Sequence, residues 1–129
     1  MVLSGFFDSQ DELPQVASAL RACGVPLSSV VVRWQQQSYL GVLPVEQCSR
    51  RMALILSRGV EYEVYFAASV MRHLAPKLTL LVARGDETAA WRVLRTRAVE
   101  GFASEQHRAW MDELDERHGD QIRGAFVGF

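Results

Sequence analysis

Val60-Glu-Tyr-Glu-Val-Tyr-Phe-Ala-Ala-Ser-Val-Met-Arg-His-Leu-Ala75 is the stretch on which the fold turns. Its opening alternates, with Tyr62, Val64 and Phe66 set against Glu61, Glu63 and Tyr65, the period of a half-buried strand. A second rhythm overlaps it: Val64, Ala67, Ala68, Met71, Leu74 and Ala75 follow helical spacing. A strand over 60–66 that hands over to a short helix over 67–75 reconciles the two. Pro76 cannot donate a backbone hydrogen bond and stops that helix. Leu78 to Ala83 then reads as a buried strand.

Toward the N-terminus, Pro44 suits the first position of a helix. Val45, Cys48, Met52, Ile55 and Leu56 make its apolar face, Arg50, Arg51 and Arg58 project from the other side, and Gly59 ends it. Ser29 to Trp34 is β-branched and aromatic, hence a strand. Ser38 to Leu43 is a second strand. The intervening Gln35-Gln-Gln37 lacks the Gly or Asn of a tight hairpin, so one long bent strand is the alternative. Val2 to Phe7 reads as a buried strand. A helix follows, capped by Ser9 and Glu12 or by Asp11, with Leu13, Val16, Ala17, Leu20 and Cys23 inward and Gly24 and Pro26 as its stop.

Toward the C-terminus, Asp86 caps a helix with Ala90, Val93, Leu94 and Ala98 inward and Arg92, Arg95 and Arg97 outward. Gly101 breaks it, and Ser104 caps a last helix running to His118. Ile122 to Phe129 is an apolar tail, an edge strand or an extended arm. The element order through residue 66 predicts an α+β fold, a ferredoxin-like split βαβ core (β-α-β-β-α-β) with a C-terminal helical extension. A three-layer α/β sandwich is the alternative. With 129 residues and no repeat or linker, residues 1–129 form one domain.

A net charge of −1 excludes a uniformly basic nucleic-acid binder. The longest apolar run is too short to span a bilayer, and Asp8, Asp11 and Glu12 stand where a secretory signal needs basic residues. Cys23 and Cys48 both fall on apolar helix faces, as buried free thiols do. The expected location is cytoplasmic.

The small net charge hides two opposed regions. Residues 13–60 carry Arg21, Arg33, Arg50, Arg51 and Arg58 against Glu46 alone, whereas 105–120 carry six acids against Arg108 and Arg117. Asp112, Glu113, Asp115 and Glu116 lack calcium-loop spacing. They are a solvated face or an acidic docking surface, where complementary charge speeds and orients association. Arg92 and Arg95, with Arg84 and Arg97, pair with acids or contact a partner.

Chemistry finds little footing. His107 and His118 would lie about 16 Å apart along one helix, too far for one metal ion, and read as structural histidines at the core's edge. Neither a nucleophile elbow nor a Gly-rich phosphate loop occurs. No catalytic residue, metal or cofactor is expected. Trp34, Tyr39 and Trp110 are core residues or interface anchors.

These features predict a small protein-binding module acting through a charged surface, of the bacterial inhibitor, immunity, anti-defence or adaptor type. Asp112, Glu113, Asp115, Glu116, Arg92 and Arg95 would contact a protein partner with a basic surface, with no nucleic acid or membrane involved. The alternative is a small-molecule-binding protein or cofactor-independent enzyme, with Tyr62, Tyr65, Arg33 and His73 converging in a pocket on the open sheet face. A homodimer through that face or the apolar tail is a third possibility.

Overall fold

A computed structural model describes residues 27–40, 42–95 and 101–127. They form α1 (Leu27–Gln36), α2 (Val45–Arg58), α3 (Glu61–Ala83), α4 (Glu87–Arg95), a 3-10 turn (Ser104–His107) and α5 (Arg108–Val127). No strand occurs among the described residues; Leu40 and Leu43 make only an isolated bridge. The α+β expectation is therefore overturned, the ferredoxin-like core and the three-layer sandwich alike.

The reason lies in α3. Residues 60–75 are neither a strand nor a strand followed by a helix, but the first two-thirds of one 23-residue helix. Glu61, Tyr62, Val64 through Met71, Leu74 and Leu78 are all buried. A helix enclosed on every side has no polar stripe, so the 3.6-residue period vanishes from its sequence. The acids that produced the apparent alternation point inward too, Glu61 to Arg123 at 2.8 Å and Glu63 to Arg51 at 2.7 Å. Pro76 removes one backbone bond without ending the helix. Packing holds it, since Leu74 and Leu78 on either side are both buried.

α2, α4 and α5 all pack on α3. Glu61 meets Arg123 at one end and His73 lies by His107 further along, so α3 and α5 run antiparallel. Phe66 sits at the centre, edge-on to Tyr39 at 5.2 Å and to Phe102 at 5.7 Å. Such tilted pairs add favourable quadrupole contact to the burial of the rings.

Tertiary packing also overrides strand propensity in α1. Val30, Val31 and Trp34 are buried along one face, while Val32 and Arg33 face solvent. The indole Nε1 of Trp34 donates to the Leu94 carbonyl at 3.0 Å. The expected strand 38–43 is instead a reversal in which Ser38 and Tyr39 take φ of 51° and 62°. The Tyr39 N–H donates to the Trp34 carbonyl at 2.9 Å, and its ring is fully buried.

Other boundaries agree with the sequence. Pro44 is the residue before α2, and Gly59 ends it with φ of 117° and an N–H donated to the Ile55 carbonyl. The Asp86 carboxylate accepts the Ala89 N–H at 3.0 Å. Gly101 takes φ of 79° ahead of the 3-10 turn. The last helix differs: it continues past His118 and Gly119 to Val127, so the supposed arm is helical and Ile122 lies in the core. The strand expected at 2–7, the helix at 13–24 with Cys23, and Arg97 lie outside the described residues. Within them no helix is long and apolar enough to cross a membrane.

Candidate interaction surface

The acidic helix divides into two pairs. Asp112 and Asp115 turn toward α3, where the Tyr62 hydroxyl donates to Asp112 at 2.5 Å and the Tyr65 hydroxyl to Asp115 at 3.1 Å. Burial first, and then the neighbouring carboxylate, pushes the Tyr62 phenol up to about 12 and raises that of Tyr65 as well. Glu113 and Glu116 remain exposed, with Glu113 3.5 Å from Arg117. Arg92 is exposed on α4. Arg95 closes that helix, and its side chain lies outside the described set.

The expected pocket of Tyr62, Tyr65, Arg33 and His73 does not form, since no sheet offers an open face among the described residues. Both tyrosines are committed to α5, and Arg33 points to solvent from α1. His73 and His107 pack around Phe102, His107 stacked on its ring at 5.5 Å. Among the described residues, no three His, Cys, Asp or Glu could hold a metal ion. Trp34 and Tyr39 are core residues, while Trp110 is half-buried beneath the Arg72 guanidinium at 4.6 Å. The half-buried Cys48 thiol reaches toward the Leu43 carbonyl, and burial raises its pKa.

The departure with most consequence for the surface is α2, which is turned inside out relative to its sequence reading. Gln47, Arg51 and Leu54 are its buried residues. Arg51 makes a two-pronged ion pair with Glu63, Nε at 2.9 Å and a terminal nitrogen at 2.7 Å, with side-chain exposures of only 11% and 15%. Its guanidinium also lies 5.2 Å from the Tyr39 ring centre. The Gln47 side-chain oxygen accepts the Ser104 N–H at 3.0 Å and so caps the 3-10 turn.

With that polar face inward, the apolar face looks out. Val45 is 74% exposed, Met52 50% and Leu56 82%. Positions 45, 52 and 56 lie within a narrow arc of the helix, so they form one stripe. Sequence reasoning had these residues but sent them to the core. The signal against it is Gln47, Arg51 and Leu54, a stripe at helical spacing.

Beside the stripe, α2 and the 3-10 turn enclose an open cleft of about 150 Å³ lined by Arg50, Ala53, Leu54, Ser57, Ser104, Glu105 and Arg108. Arg50 is held there by Glu105 at 2.7 Å and Glu46 at 3.2 Å. In the same cleft the Ser104 hydroxyl donates to the Glu105 carboxylate at 3.3 Å, and Arg108 lies 3.9 Å from Asp112.

Comparison with known proteins bears on what this surface meets. The family model described as Broad-minded protein Rab TBC domain matches residues 8–124. Protein broad-minded of Danio rerio is 24% identical over 112 residues, which cover 86% of this chain. The chain spans only 8% of that relative's length. No solved structure matches. The relative is a vertebrate protein and the matching family model a TBC domain, which corrects the expectation of a bacterial inhibitor or immunity protein and leaves the coarser one, a protein-interacting module.

Proposed function

This chain belongs to the family of the Broad-minded protein Rab TBC domain, and from that premise we propose that it binds a Rab-type small GTPase through the outward face of α2. The observation that carries the proposal is the exposed line of Val45, Met52 and Leu56. Single exposed apolar residues are ordinary, but three aligned on one helix face mark a place where another molecule excludes water. Glu113, Glu116, Arg92 and Arg95 supply charges that orient the encounter, the two glutamates toward a basic region of the partner. The role is binding rather than chemistry. On α2, Arg50 and Arg51 are engaged by Glu46, Glu105 and Glu63 and are not poised to stabilise phosphoryl transfer in a partner's site.

The test is capture of purified Rab-type GTPases, loaded with GDP or a non-hydrolysable GTP analogue, on the immobilised chain. One nucleotide state is expected to bind, and Met52→Glu with Leu56→Glu to weaken it by about tenfold or more, the cost of a charge in an apolar contact. No capture of any such GTPase in either state overturns the proposal.

A further inference from the structure

We propose that the cleft between α2 and the 3-10 turn receives an acidic side chain of the partner, and that Glu105 occupies it in the free chain. The cleft adjoins the stripe: Ala53 and Ser57 on its wall follow Met52 and Leu56 in sequence, about 100° further round α2. A molecule lying on the stripe therefore reaches it, and in that respect the occupant rests on the docking role just assigned to α2.

Two guanidinium groups line the cleft from different elements, Arg50 from α2 and Arg108 from the start of α5. Neither is firmly held. Arg50 meets Glu105 at 2.7 Å, but both side chains are 47% exposed. A pair in that setting contributes little, because water competes for both charges. Arg108 is less well served. Its nearest carboxylate oxygen, Oδ1 of Asp112, stands 3.9 Å away, beyond hydrogen-bond reach, and already accepts the Tyr62 hydroxyl. The Arg108 Nε is shielded from water and makes no hydrogen bond, a shortage that folded proteins ordinarily correct.

Glu105 shows which chemistry fits. Its carboxylate sits against Arg50 and accepts the Ser104 hydroxyl at 3.3 Å. The guanidinium fork matches a planar carboxylate two bonds at a time, and Ala53 and Leu54 offer apolar wall to the methylenes behind it. A volume of about 150 Å³ holds one acidic side chain and not a bulky ring system. A partner's Glu or Asp that displaces Glu105 gains Arg108 as a second cation, whereas Glu105 pairs with Arg50 alone. The cost of displacement is small, since the pair it breaks is an exposed one.

The test is a cycle of variants read by capture of the GTPase. Glu105→Gln is expected to raise capture about fivefold, the upper worth of an exposed pair. Arg50→Gln is expected to lower it about tenfold, the loss of a charged hydrogen bond. The double variant should show no gain over Arg50→Gln alone, and Glu87→Gln, the same charge change made on α4, should leave capture unchanged. No gain in Glu105→Gln overturns the proposal. So does a gain that survives the loss of Arg50 or is matched by Glu87→Gln, since it would be a long-range charge effect. Either result, with Leu56→Glu still abolishing capture, leaves the proposed function standing.

A second measurement needs no GTPase and decides the cleft even if none is captured. The Nε–Hε signals of Arg50 and Arg108 are followed by NMR in the 15N-labelled Glu105→Gln chain. The titrants are acetyl-Gly-Glu-Gly-amide, the same peptide with Gln, and inorganic phosphate. Both arginines are expected to shift with the Glu peptide and not with the Gln peptide, and to shift less in the parent chain at equal concentration. No shift at either arginine with the Glu peptide overturns the proposal. A shift with phosphate alone makes the cleft a phosphate site and overturns the carboxylate assignment.

Discussion

α2 and α3 are neighbours that distribute their polarity in opposite ways. α3 buries nearly everything it has, acids included, and shows solvent little before Pro76. α2 buries a glutamine and an arginine and turns Val45, Met52 and Leu56 outward. One ion pair, Arg51 with Glu63, links the two facts, because each helix presents a charge the other can satisfy. Where a helix puts its face is thus decided by the pairing available across the interface, and not by the polarity of its own residues taken alone. Desolvating two charges is repaid only when geometry is good, and here two guanidinium nitrogens reach the carboxylate.

The comparison can be broken most forcefully at Phe66. Phe66→Ala opens a hole between Tyr39 and Phe102 and is expected to cost about 3–5 kcal/mol in urea unfolding. A loss below about 1 kcal/mol would mean that α3 is not the packed centre.

Next comes the ion pair. Arg51→Met alone leaves Glu63 mostly desolvated without its counter-charge, an expected loss of about 3 kcal/mol. Arg51→Met combined with Glu63→Leu should recover most of it, because the remaining groups are apolar. Strictly additive single and double losses would show that the two residues are not coupled.

Tyr62→Phe sharpens the contrast on a smaller scale, about 1 kcal/mol for the bond to Asp112. It also changes the alkaline limb of stability. Folding raises the Tyr62 phenol from its ordinary 10.0 to about 12 and so favours the neutral form. That contribution is complete below pH 10 and drains away as pH rises toward 12. Unfolding followed from pH 9 to 12 should fall less steeply in Tyr62→Phe than in the parent, with Tyr65, shifted the same way, keeping part of the slope. Identical slopes contradict this account.

Leu56→Glu should move stability least, within about 0.5 kcal/mol, since the side chain it replaces faces water. A large destabilisation would place Leu56 inside after all and remove the asymmetry between the two helices.

Punctuation was the legible part of the sequence. Pro44, Gly59 and Asp86 each mark a helix end, because their backbone chemistry acts locally and leaves a local signature. What could not be read was whatever depends on a distant partner. The valines of 30–32 look like a strand until Trp34 finds the Leu94 carbonyl sixty residues away. Glu61 and Glu63 look solvated until Arg123 and Arg51 are beside them. The acidic helix was visible as a charge pattern, but that Asp112 and Asp115 would be taken by tyrosines of α3 needed the packing together of two helices fifty residues apart. The α2 stripe was visible as a face, with its direction reversed for the same reason.

The indole-to-carbonyl bond between α1 and α4 carries a practical corollary for anyone trimming this polypeptide. Deleting the segment through Gln36 would strip the Leu94 oxygen of its donor and vacate the space filled by the largest side chain in the interior. A minimal fragment that begins at α2 would be expected to melt at α4 first, so expression boundaries should be drawn upstream of Leu27 even when only the later helices are of interest.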